Sequence, residues 1–326
     1  MTTRWTTRTL DVPGAQIHLE VSGPASEDDV AAPPLALVGH PMGAGDFRDL
    51  AEHFTRDRTV LLHDPRGFGA SPLVDPSDDA DPDRLADDLA ALLDVAAPGQ
   101  RVDVLGSSGG AVTALALAAR HPERVRVVVA HEPPLTSALP GPQATAARQD
   151  AEAVVALLHE QGVWPALGAF MALAGFASPG DGDEPGNTGD GPTREDGGAS
   201  DAGGDQGDRT GHVPPPEQVA ALERMIGHGL LTVCGHPLDV PALRAAQASG
   251  VRLVVAAGEA SAGQLARRCA EAVARRLDLP TTLFPGDHAP WVVAMGDDPA
   301  PFAARLRDVL TDTPTPAGRA PAVRGG

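Results

Sequence analysis

The stretch VDVLGSSGGAVTALALAARHP, residues 102–122, decides the fold. It opens with a short apolar run, passes through a corner of two serines set among glycines, and continues as an alanine-rich sequence. The apolar run predicts a buried strand, and residues 110–120 predict a helix. The residues from Gly106 to Gly110 fit G-x-S-x-G, the turn that exposes a nucleophilic serine between a strand and a helix, with Ser108 at the centre.

Strand-like and helix-like segments alternate on both sides of this corner. The helix predicted over 83–96 has Asp81 as its N-cap and Pro82 at its first position. A second helix is predicted over 263–277 and a last one over 299–311. Between them lie short apolar or alternating runs, typical of strands, at 16–23, 34–40, 58–64, 124–132, 251–259 and 281–288. This alternation predicts an α/β fold with a mostly parallel sheet.

The alternation is interrupted in the middle of the chain. Residues 143–175 and 216–246 have helical patterns. The tract 178–212 holds nine acidic residues and two arginines, with almost no large apolar side chains. Such a composition buries too little apolar surface to offset the entropy of ordering, so this tract is predicted to be disordered.

These segments predict one α/β domain with an insertion. The predicted core comprises residues 1–135 and 247–312. A helical cap over 136–246, containing the acidic tract, interrupts it, and a flexible tail rich in proline and glycine follows over 313–326.

Composition limits the classes of function. The formal net charge of −19 makes nucleic-acid binding unfavourable. No apolar run is long enough to span a bilayer and the first residues do not resemble a secretory signal, which predicts a cytoplasmic protein without a membrane partner. Cys234 and Cys269 have neither disulfide nor metal-site spacing. His131, Glu132 and His288 form no compact ligand motif, so we expect neither a metal nor a cofactor.

A nucleophilic serine requires a base, and His288 has the most suitable position among the eleven histidines. It follows the last predicted strand, so it should emerge at the same carboxyl edge of the sheet as Ser108. A chain order with the serine first and the histidine last is the order of α/β-hydrolases, and other serine-hydrolase folds use different orders.

Four motifs together resemble the α/β-hydrolase fold superfamily over nearly the whole chain. They are LALVGHPMGAG (35–45), LLHDPRGFGAS (61–71), GSSGGAVTALALAARHPERV (106–125) and FPGDH (284–288). The resemblance implies a mostly parallel, eight-stranded sheet with helices on both faces and a helical cap insertion.

The resemblance also implies an oxyanion hole made by two backbone amides. One belongs to Gly109, directly after the nucleophile, and the other to Met42, two residues beyond His40. Pro41 stands where the family usually has glycine; proline lacks an N–H group, but the expected donor is the next residue. Asp64, in the second motif, is expected to stabilise the loop after the fourth strand.

The acid of the triad departs from the family pattern. The family usually places an aspartate in the turn after the seventh strand, where this chain has Ser261. Two carboxylates remain as alternatives. Glu132, at the end of the sixth strand, resembles the placement of the acid in haloalkane dehalogenases and is favoured, and Glu259 lies two positions before Ser261.

A serine nucleophile indicates acyl transfer by a carboxylesterase-like hydrolase. The bond broken could be an ester, thioester, lactone, amide or carbon–carbon bond beside a ketone. The apolar stretch over 162–176 favours a small apolar substrate, or else it forms the core of the cap. The alternative is a catalytically idle protein of the same fold that binds a small molecule. No feature of the sequence predicts an oligomeric state.

Overall fold

One eight-stranded sheet forms the centre of the protein. The computed structural model describes residues 4–26, 30–79, 81–174, 215–293 and 297–312. The strands are β1 (Thr6–Val12), β2 (Ala15–Ser22), β3 (Leu35–Val38), β4 (Val60–His63), β5 (Val102–Ser107), β6 (Val125–His131), β7 (Arg252–Gly258) and β8 (Thr281–Phe284). Their order in space is β1-β2-β4-β3-β5-β6-β7-β8. The pairs β1–β2 and β2–β4 are antiparallel and the other pairs are parallel, which confirms the predicted fold class.

The helices are α1 (Arg48–Glu52), α2 (Pro82–Ala96), α3 (Gly109–Arg120), α4 (Gly141–Gln161), α5 (Val163–Ala174), α6 (Pro216–Arg224), α7 (Leu230–Cys234), α8 (Val240–Ala248), α9 (Leu265–Leu277) and α10 (Pro299–Thr311). A single π-helical turn, Met225–Gly229, joins α6 to α7. We call α4 to α8, which lie between β6 and β7 in the chain, the inserted helices.

Local signals explain several of these boundaries. The side chain of Asp81 accepts a 3.0 Å hydrogen bond from the amide of Asp83, and Pro82 occupies the first position of α2, as predicted. The helix predicted over 299–311 spans the same residues as α10. By contrast, β1 was not predicted, because its threonine- and arginine-rich sequence is mostly exposed and only Leu10 and Val12 pack against the core.

The structure gives the bounds of three predicted segments in more detail. The helical region expected over 143–175 is two helices, separated at Gly162, whose φ of 88° does not continue an α-helix. The region expected over 216–246 is broken by residues 235–239 and contains the π-helical turn. The strand-like segment predicted over 281–288 is a strand only as far as Phe284, and His288 follows this last strand in a loop, as predicted.

Apolar side chains fill both faces of the sheet. On one face, α2, α3 and α9 pack against the strands through alanine, valine and leucine. On the other face, α1 and α10 enclose a cluster that contains most of the buried aromatic side chains, namely Phe47, Phe54, Phe284, Trp291 and Phe302. Since aromatic residues are only 3% of the chain, their concentration on one face is a specific feature of this core.

Side chains of α4 to α7 form a third apolar cluster with Phe68, which lies in the loop after β4, whereas Leu243 and Ala246 of α8 belong to the first cluster. Val154 of α4, Ala166 of α5 and Ile226 of the π-helical turn are buried in it. This arrangement places α4 to α7 over the carboxyl edge of the sheet, because Phe68 lies there. The boundaries of a core and a cap stay a prediction, and the tracts 178–212 and 313–326 lie outside the described residues.

Candidate active site

Ser108 occupies a strained corner between β5 and α3. Its φ of 55° and ψ of −125° are rare for a residue with a side chain. Backbone segments approach closely around it: a Cβ atom on Gly106 would lie 2.4 Å from the carbonyl oxygen of Gly110, and one on Gly110 would lie 2.1 Å from that of Val38. Only glycine fits at these two positions, which explains the composition of the corner.

The two serines of the corner have different surroundings. Ser107 is fully buried, and its hydroxyl has no hydrogen-bond partner among the described residues. Ser108 is partly exposed, and its amide donates a 3.0 Å hydrogen bond to the carbonyl oxygen of His131 at the end of β6. This bond places Ser108 beside the residue that precedes Glu132.

Glu132 connects three elements at the carboxyl edge of the sheet. Its side chain is fully buried and its φ is 50°. Its amide donates to the carbonyl oxygen of Ala256 in β7, and its Oε1 accepts a 2.9 Å hydrogen bond from the amide of Gly258. Its Oε2 lies 2.6 Å from Nδ1 of His288. The structure therefore brings the favoured carboxylate and the predicted base together.

The charge of Glu132 is maintained by its hydrogen bonds. Burial alone raises the pKa of this carboxyl group, but the hydrogen bond with His288, the neighbouring imidazoles and the Gly258 amide outweigh burial and lower the pKa to about 2. Burial lowers the pKa of His131 to about 4, so that imidazole is neutral at pH 7. The hydrogen bonds from His288 and Gly258 are then the interactions that keep Glu132 ionised.

The alternative acid has a different environment. The side chain of Glu259 is exposed, and the hydrogen bonds that the structure shows for Glu259 are made by its backbone, to Phe284 and Arg267. Ser261, at the position where the family usually has its acid, is fully buried, and its hydroxyl has no hydrogen-bond partner among the described residues.

The loop that carries Met42 lies against the start of α3. A Cβ atom on Gly109 would lie 2.7 Å from the carbonyl oxygen of His40, so the two backbones are in contact. Among the described residues, the amides of Met42 and Gly109 have no hydrogen-bond acceptor. The loop is held by Asp64, whose two carboxylate oxygens accept 2.8 Å hydrogen bonds from the amides of Ala44 and Ala70.

His40 joins this loop to the inserted helices. Its ring meets Phe68 edge-on, with ring centroids 5.1 Å apart. A Cβ atom on Gly229, at the end of the π-helical turn, would lie 3.2 Å from Cε1 of His40. Burial and then the positive charge of Arg224 lower the pKa of His40 to about 4, which makes it a neutral packing residue at pH 7. Isolated π-helical turns occur frequently at functional sites.

Arg224, which sequence analysis did not identify, fastens the inserted helices to the core. Its guanidinium donates to the carbonyl oxygens of Pro76, at 2.7 Å, and of Asp78. A Cβ atom on Gly67, whose φ is 80°, would lie 2.2 Å from Nε of Arg224, so the arginine passes over a glycine of the loop after β4. Nothing in the local sequence pairs Arg224 with a segment about 150 residues away.

The described residues give no sign of a metal or membrane-spanning site. Nowhere in the described part of the chain do three His, Cys, Asp or Glu side chains form a group suited to hold a metal ion. No helix in the ranges that the structure describes is long and apolar enough to cross a membrane.

The strand order, the serine corner and the Glu132–His288 pair together define a class of protein. The family profile for the alpha/beta hydrolase fold matches residues 35–156. The chain has the α/β-hydrolase fold, and its residues 35–156 are similar to that family.

Comparisons with individual proteins extend over nearly the whole chain. An uncharacterized hydrolase, YraK from Bacillus subtilis (strain 168), is 27% identical over 313 residues, which cover 93% of this chain and 95% of that protein. A thermophilic esterase from Thermogutta terrifontis has a similar structure, with a TM-score of 0.59, 18% identity, and coverage of 95% and 100% of the two chains. An alpha/beta hydrolase from Sphaerobacter thermophilus DSM 20745 has a TM-score of 0.57, 21% identity, and coverage of 93% and 100%.

Proposed function

We propose that this protein is a serine hydrolase that cleaves a small, apolar carbonyl substrate through an acyl-enzyme. Ser108 is the nucleophile, His288 the general base and Glu132 the acid that orients the imidazole. The observation that carries the proposal is the 2.6 Å hydrogen bond between Glu132 and His288 at the sheet edge where Ser108 emerges.

The reaction proceeds in two halves. The Oγ of Ser108 attacks the substrate carbonyl carbon while Nε2 of His288 takes the hydroxyl proton. The tetrahedral oxyanion accepts hydrogen bonds from the amides of Met42 and Gly109. His288 then protonates the leaving group as its bond to the carbonyl carbon breaks. In the second half, water attacks the acyl-enzyme, gives a proton to His288, and releases the acid as Ser108 regains its hydrogen.

Glu132 supports this cycle without exchanging protons. Its Oε2 accepts a hydrogen bond from Nδ1–H of His288, which leaves Nε2 unprotonated and facing away from the carboxylate. When the imidazole becomes positively charged, the carboxylate stabilises that charge. A carboxyl group with a pKa of about 2 remains ionised throughout the physiological range.

The substrate class follows from the surroundings of the corner. Met225, Ile226 and Leu230 pack with Phe68 in one apolar cluster. Phe68 in turn contacts the ring of His40. An apolar acyl or alcohol group fits these surroundings better than a charged one. We therefore propose carboxylic esters of short apolar acids as the first substrates to test. The esterase from Thermogutta terrifontis, which has the same fold, is a precedent for such chemistry.

Active-site labelling tests this function. The purified protein and its Ser108→Ala variant are treated with a fluorophosphonate and assayed with p-nitrophenyl acetate, butyrate and octanoate. We expect labelling and ester hydrolysis in the native protein and neither in the variant. The matched Ser107→Ala variant, altered at the neighbouring serine, should still be labelled. Absence of Ser108-dependent labelling and of hydrolysis would favour the idle, ligand-binding alternative.

A further inference from the structure

The Glu132–His288 pair is formed by two segments that differ in rigidity. Glu132 follows a central strand of the sheet, whereas His288 lies in a loop four residues beyond the end of β8. Loop residues are placed less precisely than residues on sheet strands, unless packing fixes them. A 2.6 Å hydrogen bond between the two therefore requires an anchor for the loop.

Trp291, three residues after His288, is buried completely on the aromatic face of the sheet. Its ring stacks on Phe47, with centroids 5.5 Å apart and an angle of 21° between the planes. It also packs against Phe302, at 4.7 Å between centroids. The indole Nε1 has no hydrogen-bond partner among the described residues, so packing is what holds this side chain.

His131, the residue before Glu132, packs into the same aromatic group. Its ring meets those of Phe284, Trp291 and Phe302 nearly edge-on, at centroid distances of 6.0, 5.8 and 5.3 Å. Neither of its ring nitrogens has a hydrogen-bond partner in the part of the chain that the structure describes. The position of the His131 side chain is therefore set by packing against these three rings.

We infer that the contact between His131 and Trp291 sets the distance between Glu132 and His288. His131 and Trp291 are thus positioning residues for the proposed reaction. One member of the contact precedes the acid in β6, and the other follows the base in its loop. A shift of the indole moves the imidazole of His288 relative to a carboxylate that the sheet holds in place. This inference rests on the proposed function, although its geometric part does not need an active enzyme.

The first experiment follows the hydrogen bond itself. A proton held between Nδ1 of His288 and Oε2 of Glu132 is expected to give a separate low-field resonance in the proton NMR spectrum. The resonance should persist in the native protein and His131→Phe, and disappear in Trp291→Leu and His131→Ala. Trp164→Leu is the matched control, since Trp164 is 50% exposed on α5 and does not belong to the buried aromatic cluster. The low-field resonance of Trp164→Leu should be the same as that of the native protein.

Kinetics give a second measurement that simple loss of stability does not reproduce. With p-nitrophenyl butyrate, Trp291→Leu and His131→Ala should lower kcat roughly 10- to 100-fold, the effect of misplacing a reacting group, with KM nearly constant. The low-pH limb of the profile of kcat/KM should also shift in these two variants. His131→Phe should keep the native kcat and the native pH profile, because a phenyl ring can make the same packing contacts as the imidazole.

Each outcome decides between positioning and another role. A native resonance and kcat in Trp291→Leu overturn the inference, and so does a loss in His131→Phe as large as in His131→Ala, which indicates imidazole chemistry. If Trp291→Leu does not fold, the smaller ring of Trp291→Phe should broaden the resonance at a lower temperature than in the native protein, and unchanged broadening overturns the inference. If no ester is hydrolysed but the resonances behave as expected, the positioning role stands and the proposed function fails.

Discussion

The backbone amide of Gly258 donates a 2.9 Å hydrogen bond to Oε1 of Glu132, which joins the end of β7 to the end of β6. The turn after β7 is where α/β-hydrolases usually carry the acid of the triad. In this chain, the last residue of β7 donates a hydrogen bond to the carboxylate of Glu132, which follows the neighbouring strand, and the usual acid position after β7 holds the buried Ser261.

This relationship predicts different effects for two conservative substitutions. Glu132→Gln removes the charge that orients His288 and should lower kcat by roughly 10³-fold or more, as for other triad acids. Glu259→Gln changes an exposed side chain and should leave kcat within about twofold. Steady-state hydrolysis of p-nitrophenyl butyrate measures both. Equal and small losses would contradict the assignment of Glu132.

Buried histidines predict a loss of stability in mild acid. Burial lowers the pKa of His40, His63 and His131 to about 4 from 6.5, so the unfolded chain binds protons first as the pH falls. The free energy of unfolding should be independent of these groups above pH 6.5 and decrease between 6.5 and 4, by about 3 kcal/mol for each histidine. The lowered pKa of Glu132 acts in a separate range, between 4.5 and about 2.

Urea unfolding at pH 7.5 and pH 5 measures this dependence. His131→Phe should reduce the difference between the two pH values, because one protonation site disappears from the unfolded chain. His53→Gln, which alters an exposed ring, is the control and should keep the native difference. An unchanged difference in His131→Phe would show that His131 is not a neutral buried group.

Arg224 and Gly67 should be energetically coupled. Arg224→Ala removes the hydrogen bonds to Pro76 and Asp78 and should raise KM roughly tenfold, the equivalent of one hydrogen bond to a charged group, with a smaller effect on kcat. The physical reason is that the inserted helices occupy the binding-competent position in a smaller fraction of the variant protein.

A double-mutant cycle tests this coupling directly. Gly67→Ala adds a Cβ atom 2.2 Å from Nε of Arg224, so it should raise KM and destabilise the protein. In the Arg224→Ala background that contact is absent, and the same substitution should cost less, leaving mainly the strain of a φ of 80°. Additive effects on the free energy of unfolding would exclude a direct contact between the two residues.

The glycine corner predicts a large contrast between two Gly→Ala substitutions. Gly106→Ala places a Cβ atom 2.4 Å from the backbone of Gly110, which cannot move without displacing α3, and should destabilise the protein by roughly 3 kcal/mol or more. Gly45→Ala meets no atom within 4 Å and should change stability by about 0.5 kcal/mol or less. Thermal unfolding compares them. A Gly106→Ala variant as stable as the native protein would disprove the close approach.

Features coded by neighbouring residues were predictable from the sequence. The corner around Ser108, the N-cap of α2 at Asp81 and the buried strands follow from short patterns of glycine, proline and apolar residues. The sequence could favour the pairing of Glu132 with His288 but could not establish it. That pairing depends on strand order and on a hydrogen bond between residues 126 positions apart, Gly258 and Glu132.

Features that arise from packing were not predictable. Arg224 lies in an ordinary amphipathic helix, and only the folded chain brings it over Gly67. The anchoring of the His288 loop by Trp291 depends on ring contacts with Phe47, His131 and Phe302, which are far apart in the sequence. The breaks in the inserted helices depend on local backbone conformations, such as that of Gly162, which a helical pattern of side chains does not reveal.

Ser108 and Glu132 both have positive φ angles, and they lie at adjacent strand ends joined through the Ser108–His131 hydrogen bond. Neither conformation is stable in an isolated segment, since each requires the completed sheet edge around it. In a partly folded chain the proposed triad is therefore not assembled, even when β5 and α3 have formed. Recovery of hydrolysis during refolding should coincide with the last structural phase, which would make catalysis a reporter of the finished fold.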